Sequence, residues 1–347
     1  MAQLFLEIKK RYGEFFMTQT KRELVEAALE NKKVERVPVG FWFHFVENED
    51  KADAFTDPTL SEKNIEGHRA FYEAFKPDFV KLMSDGYFIY PHPAFAAIHS
   101  AVDFGKLEPL GKDHPWIEKQ VALVKELQKF IKRDVFTFYN IFAPARVLEW
   151  SLPNYNKTLL GDFIAEDKAA VKRGLDVIAQ DIATLAERII KEGGADGIYF
   201  SVQNIDDSRI TKDVYLDVFA PGEQKILQAA NRANPNNVLH ICGYDGHHND
   251  LTWYVNYEVK AYNWAAIVEN ISLAEGKKIF GGKAVIGGFG NTVEDILAKG
   301  DEAAVKAETQ RLLAEAGREG ILLGADCTVP RGLALERLEW VRDAGKK

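Results

Sequence analysis

The stretch LDVIAQDIATLAERIIKEGGADGIYFSV, residues 175–202, contains one complete copy of the pattern that decides the fold. Its first part has apolar residues at helical spacing and runs to Gly193-Gly194, as expected at the carboxyl end of a helix. Its last seven residues, DGIYFSV, are mostly aromatic or aliphatic and predict a buried strand. A helix that leads through a short turn into a buried strand is the repeating unit of a parallel α/β sheet.

The same alternation continues through the chain and predicts seven further strands. They are VERVPVGFWF (34–43), DFVKLMS (78–84), VFTFYNIF (135–142), VLHICG (238–243), AYNW (261–264), AVIGGF (284–289) and GILLGADC (320–327). Eight strands, most of them followed by a helical segment, favour a closed (β/α)8 barrel. An open sheet would expose two edge strands, and the sequence shows no pattern of blunted edges.

The region before the first predicted strand has helical patterns. MAQLFLEIKKRYGEFF (1–16) mixes charged and aromatic residues and predicts a short amphipathic helix. Thr20 and Glu23 have the spacing of a capping box and predict the start of a second helix. We therefore expect an N-terminal helical extension at 1–35, followed by a single (β/α)8 TIM barrel at 36–347.

Composition and charge restrict the function classes. The chain has 347 residues, is 46% hydrophobic and has a formal net charge of −8. Nucleic-acid binding is not expected, because no basic stripe is available to neutralise phosphates. A membrane span is not expected either, because no apolar run reaches roughly 18 residues. Two cysteines cannot build a disulfide framework, so we expect a cytoplasmic protein that acts on a small molecule.

Polar residues concentrate where the predicted strands end, which is where (β/α)8 barrels carry their chemistry. They are His44, Asp85, Asn140, Ser201, Gln203, His240, Cys242, Asn263, Asp326 and Cys327. The candidates for substrate binding, two of them in the loops that follow strands, are His44, Asp85, Gln203, Asp206, Asn263 and His247. Each also has an ordinary structural interpretation: a core histidine for His44, an Asp-Gly turn for Asp85 and a solvated loop for His247.

His240 and Cys242 are two residues apart in a predicted strand, so both side chains project from the same face. Cys327 closes the last predicted strand, and in a barrel the ends of the fifth and eighth strands face the same mouth. One imidazole and two thiolates suit zinc, and three protein ligands with an open fourth position are typical of catalytic zinc sites. Buried core residues are the alternative, because cysteine is often buried and the chain has no CxxC pair.

Three segments carry a family resemblance: HICG (240–243), GGKAVIGGFGNTVEDILAKG (281–300) and GREGILLGADCTVP (317–330). They resemble the uroporphyrinogen decarboxylase superfamily, and within it the zinc-dependent methylcobamide:thiol (coenzyme M) methyltransferases. The resemblance covers nearly the whole chain and implies a (β/α)8 barrel. It also implies that His240, Cys242 and Cys327 bind Zn²⁺. The implied activity is methyl transfer between a corrinoid, free or carried by a partner protein, and a thiol or another small acceptor.

Two departures separate the chain from the decarboxylases themselves. The segment GFWFHFVENED (40–50) has no arginine where those enzymes grip substrate carboxylates, and its acidic residues would repel them. Cys327 replaces a histidine of the decarboxylases, although Asp85 matches their substrate-contacting aspartate. Uroporphyrinogen decarboxylase is therefore the runner-up, beside a corrinoid-linked O-demethylase and a non-catalytic barrel that binds a small ligand.

The resemblance leaves the fourth zinc ligand open. Water, Asp326, Asp85 or a glutamate from another loop are the alternatives. Asn263 stands where relatives often have an Asp-Trp pair, so a carboxylate role is missing at that position.

Overall fold

The computed structural model describes residues 19–346 except residues 132 and 134, and it describes only the main chain of residue 245. The amphipathic helix predicted at 1–16 lies outside the described residues.

Seven of the eight predicted strands are confirmed. They are β1 (Phe79–Leu82), β2 (Phe136–Phe142), β3 (Gly197–Val202), β4 (Val238–Ile241), β5 (Ala261–Trp264), β6 (Ala284–Phe289) and β7 (Ile321–Ala325). Each strand pairs in parallel with the next one in the chain, so the sheet order is β1 to β7. All seven strands therefore end at the same edge of the sheet.

The prediction of a regular strand at 34–43 was wrong. This segment forms a single parallel bridge, between Val39 and Leu323 of β7. On its other side the carbonyl of Val39 accepts from the amide of Asp78, the residue before β1. A regular ladder does not continue because Pro38 has no N–H, and because the Asp78 carboxylate takes the N–H of Val39 at 2.9 Å. The sheet thus curls until both of its edges meet this segment.

Helices follow most of the strands and cover the outside of the curled sheet. The described residues contain α1 (Lys21–Leu29), α2 (Thr59–Phe75), α3 (Ala101–Phe104), α4 (Pro115–Gln128), α5 (Pro144–Ser151), α6 (Leu159–Arg188), α7 (Lys212–Val218), α8 (Ala220–Ala233), α9 (Ala266–Glu269), α10 (Leu273–Ile279), α11 (Ile296–Lys299), α12 (Glu302–Ala316) and α13 (Glu336–Ala344). Helix α6 has a kink at Asp167, where the backbone leaves helical geometry. The predicted glycine end is confirmed: a π-helical turn extends α6 and stops at Gly194, whose φ is 86°.

Apolar side chains form two layers. The outer layer lies between the sheet and its helices, and the inner layer fills the interior of the curled sheet. The inner layer includes Trp42, Phe79 and Phe138. It is so tightly packed that a Cβ at Gly40 would lie 2.6–2.8 Å from carbons of the Phe79 ring.

Helix α1 closes the amino-terminal end of the sheet. The predicted capping box is confirmed, with reciprocal bonds between Thr20 and Glu23. Leu24 and Val25 belong to the inner apolar layer, and Arg22 pairs with Asp196, the residue before β3. The boundary at residue 35 stays a prediction, and α1 shares its apolar core with the sheet. Nowhere in the described part of the chain is a helix both long and apolar enough to cross a membrane.

Candidate metal centre

Three donor side chains meet inside the carboxyl-terminal end of the curled sheet. The ligand atoms of His240, Cys242 and Cys327 all lie within 4.8 Å of one another. His240 and Cys242 share a face because β4 alternates its side chains, and Cys327 follows β7 across the interior. The convergence predicted from the sequence is present.

The hydrogen bonds of Asn263 fix the state of the His240 ring. The Asn263 amide nitrogen donates to the carbonyls of Ile286 and Ala325 at 2.9 and 3.1 Å, so its oxygen must be the acceptor towards His240. That oxygen lies 2.5 Å from His240 Nδ1, which therefore carries the proton. The other ring nitrogen, Nε2, is buried and has no hydrogen-bond partner. In the neutral ring, the lone pair is therefore on Nε2, the nitrogen that lies near the two cysteines.

The two thiols are electrostatically unequal. A hydrogen bond from Cys242 lowers the pKa of Cys327, and the nearby Lys81 lowers it further against the effect of burial. The same hydrogen bond, together with burial, raises the pKa of Cys242. A cation bound between the two sulfurs would bind both as thiolates and would displace their protons.

The donor set fits a zinc ion. Neighbouring donors around tetrahedral zinc lie roughly 3.5 to 3.8 Å apart, given bond lengths of about 2.3 Å to sulfur and 2.0–2.1 Å to nitrogen. The group needs to contract by about 1 Å at most to reach that spacing. A buried nitrogen without a partner costs about 1–3 kcal/mol, and metal coordination removes that cost.

Two carboxylates considered as a fourth ligand point elsewhere. Asp85 accepts from His44 and from the amides of Phe45 and Val46. Asp326 accepts from the amide of Ile267 at 2.8 Å, and burial raises its pKa to about 8. Within the described residues, neither carboxylate belongs to the converging group.

A cavity of about 400 Å³ opens onto the three donors. Its other lining residues include His44, Glu49, Asp50, Lys81, Phe88, Asn140, Phe142, Arg146, Glu149, Trp150 and Ser201. Such a volume suits a small ligand. The predicted candidate His44 therefore does line the cavity. Asp85 and Asn263 do not line it but hydrogen-bond to the lining residues His44 and His240.

Lys81 is a cavity residue that the sequence analysis missed. Its side chain is 4% exposed and lies over the rings of Tyr199 and Trp42, with Nζ 4.5 and 5.3 Å from the ring centroids. Burial lowers the pKa of Lys81, while the neighbouring thiols and Asp85 oppose that shift. Its charge is thus placed to offset negative charge on the sulfurs.

An aromatic wall, defined by Phe88, Phe142 and Trp150, forms one side of the cavity. Their ring centroids are 4.6 to 5.1 Å apart. Arg146 lies over the Trp150 ring at 5.1 Å and pairs with Glu149. The rings pack mostly edge to face, so this side offers an apolar aromatic surface with one charged pair at its margin.

The remaining predicted candidates line a neighbouring cavity of about 460 Å³. Gln203 is buried there with an unpartnered side-chain oxygen, and His247 is half-buried with an unpartnered Nε2. Asp206 is exposed and pairs with Lys157 at 2.8 Å. The two cavities share Arg146, Glu149, Tyr155 and Tyr244 as lining residues and are therefore adjacent. These three candidates line the neighbouring cavity and not the one that contains the three donors.

Residues 20–347 match the sequence profile of the family described as uroporphyrinogen decarboxylase (URO-D). No curated protein sequence matched the chain. A solved methyltransferase from Methanosarcina mazei has a similar fold, with 16% identity over 94% of this chain and 98% of that chain and a TM-score of 0.64. A candidate vitamin B12-independent methionine synthase from Listeria monocytogenes has 12% identity over 90% and 97% of the two chains, with a TM-score of 0.52. At these identities the likeness concerns the fold.

Proposed function

This chain belongs to the uroporphyrinogen decarboxylase family, and from that membership and its His-Cys-Cys group we propose that it is a zinc-dependent methyltransferase. It would move a methyl group between a corrinoid and a thiol or another small acceptor. The observation that carries the proposal is the buried Nε2 of His240, which has no hydrogen-bond partner and lies near two cysteine sulfurs. Most buried polar atoms have a partner, and a metal ion bound to the three side chains would supply one here.

His240, Cys242 and Cys327 would hold the ion, and its fourth position would take the acceptor. Zinc in such a site favours deprotonation of a bound thiol while leaving the sulfur electron-rich. Asn263 holds the His240 ring in the binding tautomer, and Lys81 offsets the negative charge that accumulates on the sulfurs. The cavity of about 400 Å³ suits a small acceptor, so the methyl-corrinoid would approach from outside, either free or on a partner protein.

The family name also raises decarboxylation of uroporphyrinogen. The lining of the cavity does not favour it, because three carboxylates, those of Glu49, Asp50 and Glu149, outnumber the two cations Lys81 and Arg146 that could attract a substrate rich in carboxylates. Incubation with uroporphyrinogen, followed by detection of fluorescent porphyrins after oxidation, tests this activity directly. We expect no product above a protein-free control.

A corrinoid-linked O-demethylase is a second candidate within the same proposal. The aromatic wall favours it, because the ring of an aromatic substrate could pack edge-on or offset against these side chains. Here the methyl donor would be a methoxylated aromatic compound and the corrinoid would be the acceptor. The assay below is therefore run with a small thiol and with a methoxybenzoate.

The test begins with the zinc content of the untagged chain, measured by plasma mass spectrometry, in wild type, Cys242→Ser and Cys327→Ser. Thr184→Val is the control, since Thr184 lies in α6, does not line the cavity and contributes no donor to the group. We expect about one zinc per chain in wild type and in the control, and little zinc in either serine variant. Circular dichroism verifies that all four proteins are folded.

Activity is then followed as loss of methylcobalamin in the presence of 2-mercaptoethanol, and as methylation of cob(I)alamin by a methoxybenzoate. Activity in wild type and Thr184→Val, absent from the serine variants, supports the proposal. A folded wild type that takes up no zinc, or a zinc-loaded one inactive in both reactions, overturns it. In the first case a non-catalytic barrel that binds a small ligand would explain the fold better.

We also infer that the curled sheet is a (β/α)8 barrel whose first strand is supplied, irregularly, by residues 37–43. Its support is the bonding of Val39 towards both β7 and β1.

Both cysteines are free and would serve as ligands, so a reducing compartment such as the cytoplasm suits the proposed activity.

A further inference from the structure

His44, which is partly exposed, and the buried Asp85 form a hydrogen-bonded pair at the rim of the cavity that contains the three donors. His44 Nδ1 lies 2.8 Å from one Asp85 oxygen, and the other oxygen accepts from the amides of Phe45 and Val46 at 2.7 and 3.2 Å. Asp85 is fully buried. A carboxylate that only accepts fixes the proton on His44 Nδ1, so the lone pair of the neutral ring is on Nε2.

The free nitrogen of His44 belongs to the cavity that also contains Cys242 and Cys327. The His44 side chain is 19% exposed, and its ring packs edge-on against Phe88 of the aromatic wall. The other histidine lining this cavity, His240, directs its free nitrogen at the thiols. His44 is therefore the cavity imidazole that remains available to a substrate.

A line of charged groups leads from His44 to the protein surface. Its Nε2 lies 3.6 Å from Glu49, and Glu49 accepts from Arg331 at 2.5 Å. Arg331 also donates to the carbonyl of Val46 at 2.5 Å, which anchors this loop. Glu49 and Arg331 are 25% and 46% exposed, so water reaches this end of the line.

Resting on the proposed function, we propose that His44 is a catalytic base that takes the proton of the substrate thiol, with Asp85 as its positioning residue. The S–H bond breaks, its electron pair stays on sulfur, and the proton bonds to His44 Nε2. Glu49 then passes this proton to water. The sulfur pair forms the bond to the methyl carbon, while the cobalt–carbon pair stays on the corrinoid, so atoms and electrons balance.

The other charged groups around the cavity are less suited to this task. Glu149 is engaged with Arg146, and Lys81 in its charged form has no lone pair to accept a proton. Asp50 lines the cavity, but a carboxylate is ordinarily a much weaker base than an imidazole near neutral pH. A base with a proton affinity matched to the working pH typically contributes about 10²- to 10⁴-fold in rate.

The experiment compares zinc-loaded wild type, His44→Asn and Asp85→Asn, with methylcobalamin and 2-mercaptoethanol, over roughly pH 5 to 9. The asparagine amide nitrogen takes the place of His44 Nδ1, so His44→Asn keeps the bond to Asp85 and lacks only the base. We expect unchanged zinc content, a fall in kcat of about 10²-fold or more, and loss of the acid limb of the pH profile. Asp85→Asn, which disturbs the tautomer, should lower kcat more than it raises KM.

The outcomes separate this inference from the proposed function. An active wild type with an equally active His44→Asn and an unchanged pH profile overturns the role of His44 and leaves the methyltransferase intact. A zinc-loaded wild type that methylates no thiol defeats the proposed function instead. In that case, the role of Asp85 in orienting His44 is tested by measuring the rate at which diethylpyrocarbonate acylates His44, with the site identified by peptide mass spectrometry. Faster acylation in wild type than in Asp85→Asn supports a poised base, and equal rates overturn it.

Discussion

Replacement of Asn263 by leucine tests the orientation of His240 at the metal centre. Asn263 is fully buried and makes three bonds, to His240 Nδ1, to the Ile286 carbonyl and to the Ala325 carbonyl. Leucine has a similar volume but neither accepts nor donates, so the His240 proton loses the partner that holds it on Nδ1. A proton on Nε2 would block the lone pair that binds zinc.

Loss of a partner behind a metal-binding histidine typically weakens the metal by about 10- to 100-fold, which is about 1.4 to 2.7 kcal/mol. The zinc-free protein should also lose about 2 to 4 kcal/mol of unfolding free energy, because three buried polar groups lose a partner at once. Zinc affinity is measured by competition with a chelating dye, and stability by urea unfolding of the zinc-free form.

Asn140→Leu is the matched control. Asn140 is also a buried asparagine of the sheet interior, but its one hydrogen bond is to Ser84 at 3.3 Å and none goes to a proposed ligand. We expect its zinc affinity to stay close to that of wild type. If folded Asn263→Leu binds zinc within about twofold of wild type, the assignment of the His240 tautomer is wrong.

Two further predictions concern the core. Glu223 is buried in α8, where it accepts from Tyr215 and Tyr257, and burial raises its pKa from 4.5 to about 7. Because Glu223 ionises at lower pH in the unfolded state than in the folded state, the unfolding free energy should fall by about 3 kcal/mol as pH rises from about 4.5 to 7 and then level off. Urea unfolding across this range should show that Glu223→Gln removes this part of the decline. If the unfolding free energies of wild type and variant fall in parallel with pH, the prediction is wrong. Gly40→Ala places a methyl group against the Phe79 ring. It should lower the unfolding free energy by about 1–3 kcal/mol or more, measured by the same method. An unchanged unfolding free energy would show that the inner layer repacks to accommodate the methyl group.

The donor cluster could be predicted from the sequence because it depends on two simple rules of strand geometry. Alternation along one strand places His240 and Cys242 together, and the parallel order of the strands brings Cys327 to the same end. Lys81 follows the same rule. It is two residues from both Phe79 and Met83 and therefore shares their inward face, and that signal could have identified it as an interior residue.

Other features depend on contacts that no local pattern encodes. The bond between His44 and Asp85 requires that two loops lie side by side and that one carboxylate also satisfies two amides. The irregular first strand depends on a side chain, that of Asp78, capturing a backbone N–H from another segment. Asp206, which lines the neighbouring cavity, pairs with Lys157 from a distant loop, and no local pattern encodes that contact.

The bridge between Val39 and Leu323 has a consequence for how the protein is made. The two partners are far apart in the sequence, so every residue between them must be synthesised before the sheet can bond to this segment. Cys327 is synthesised just after Leu323. Between the synthesis of Cys242 and that of Cys327, the nascent chain therefore contains only two of the three proposed ligands. Under the proposed function, zinc loading would be coupled to the last contacts that close the sheet.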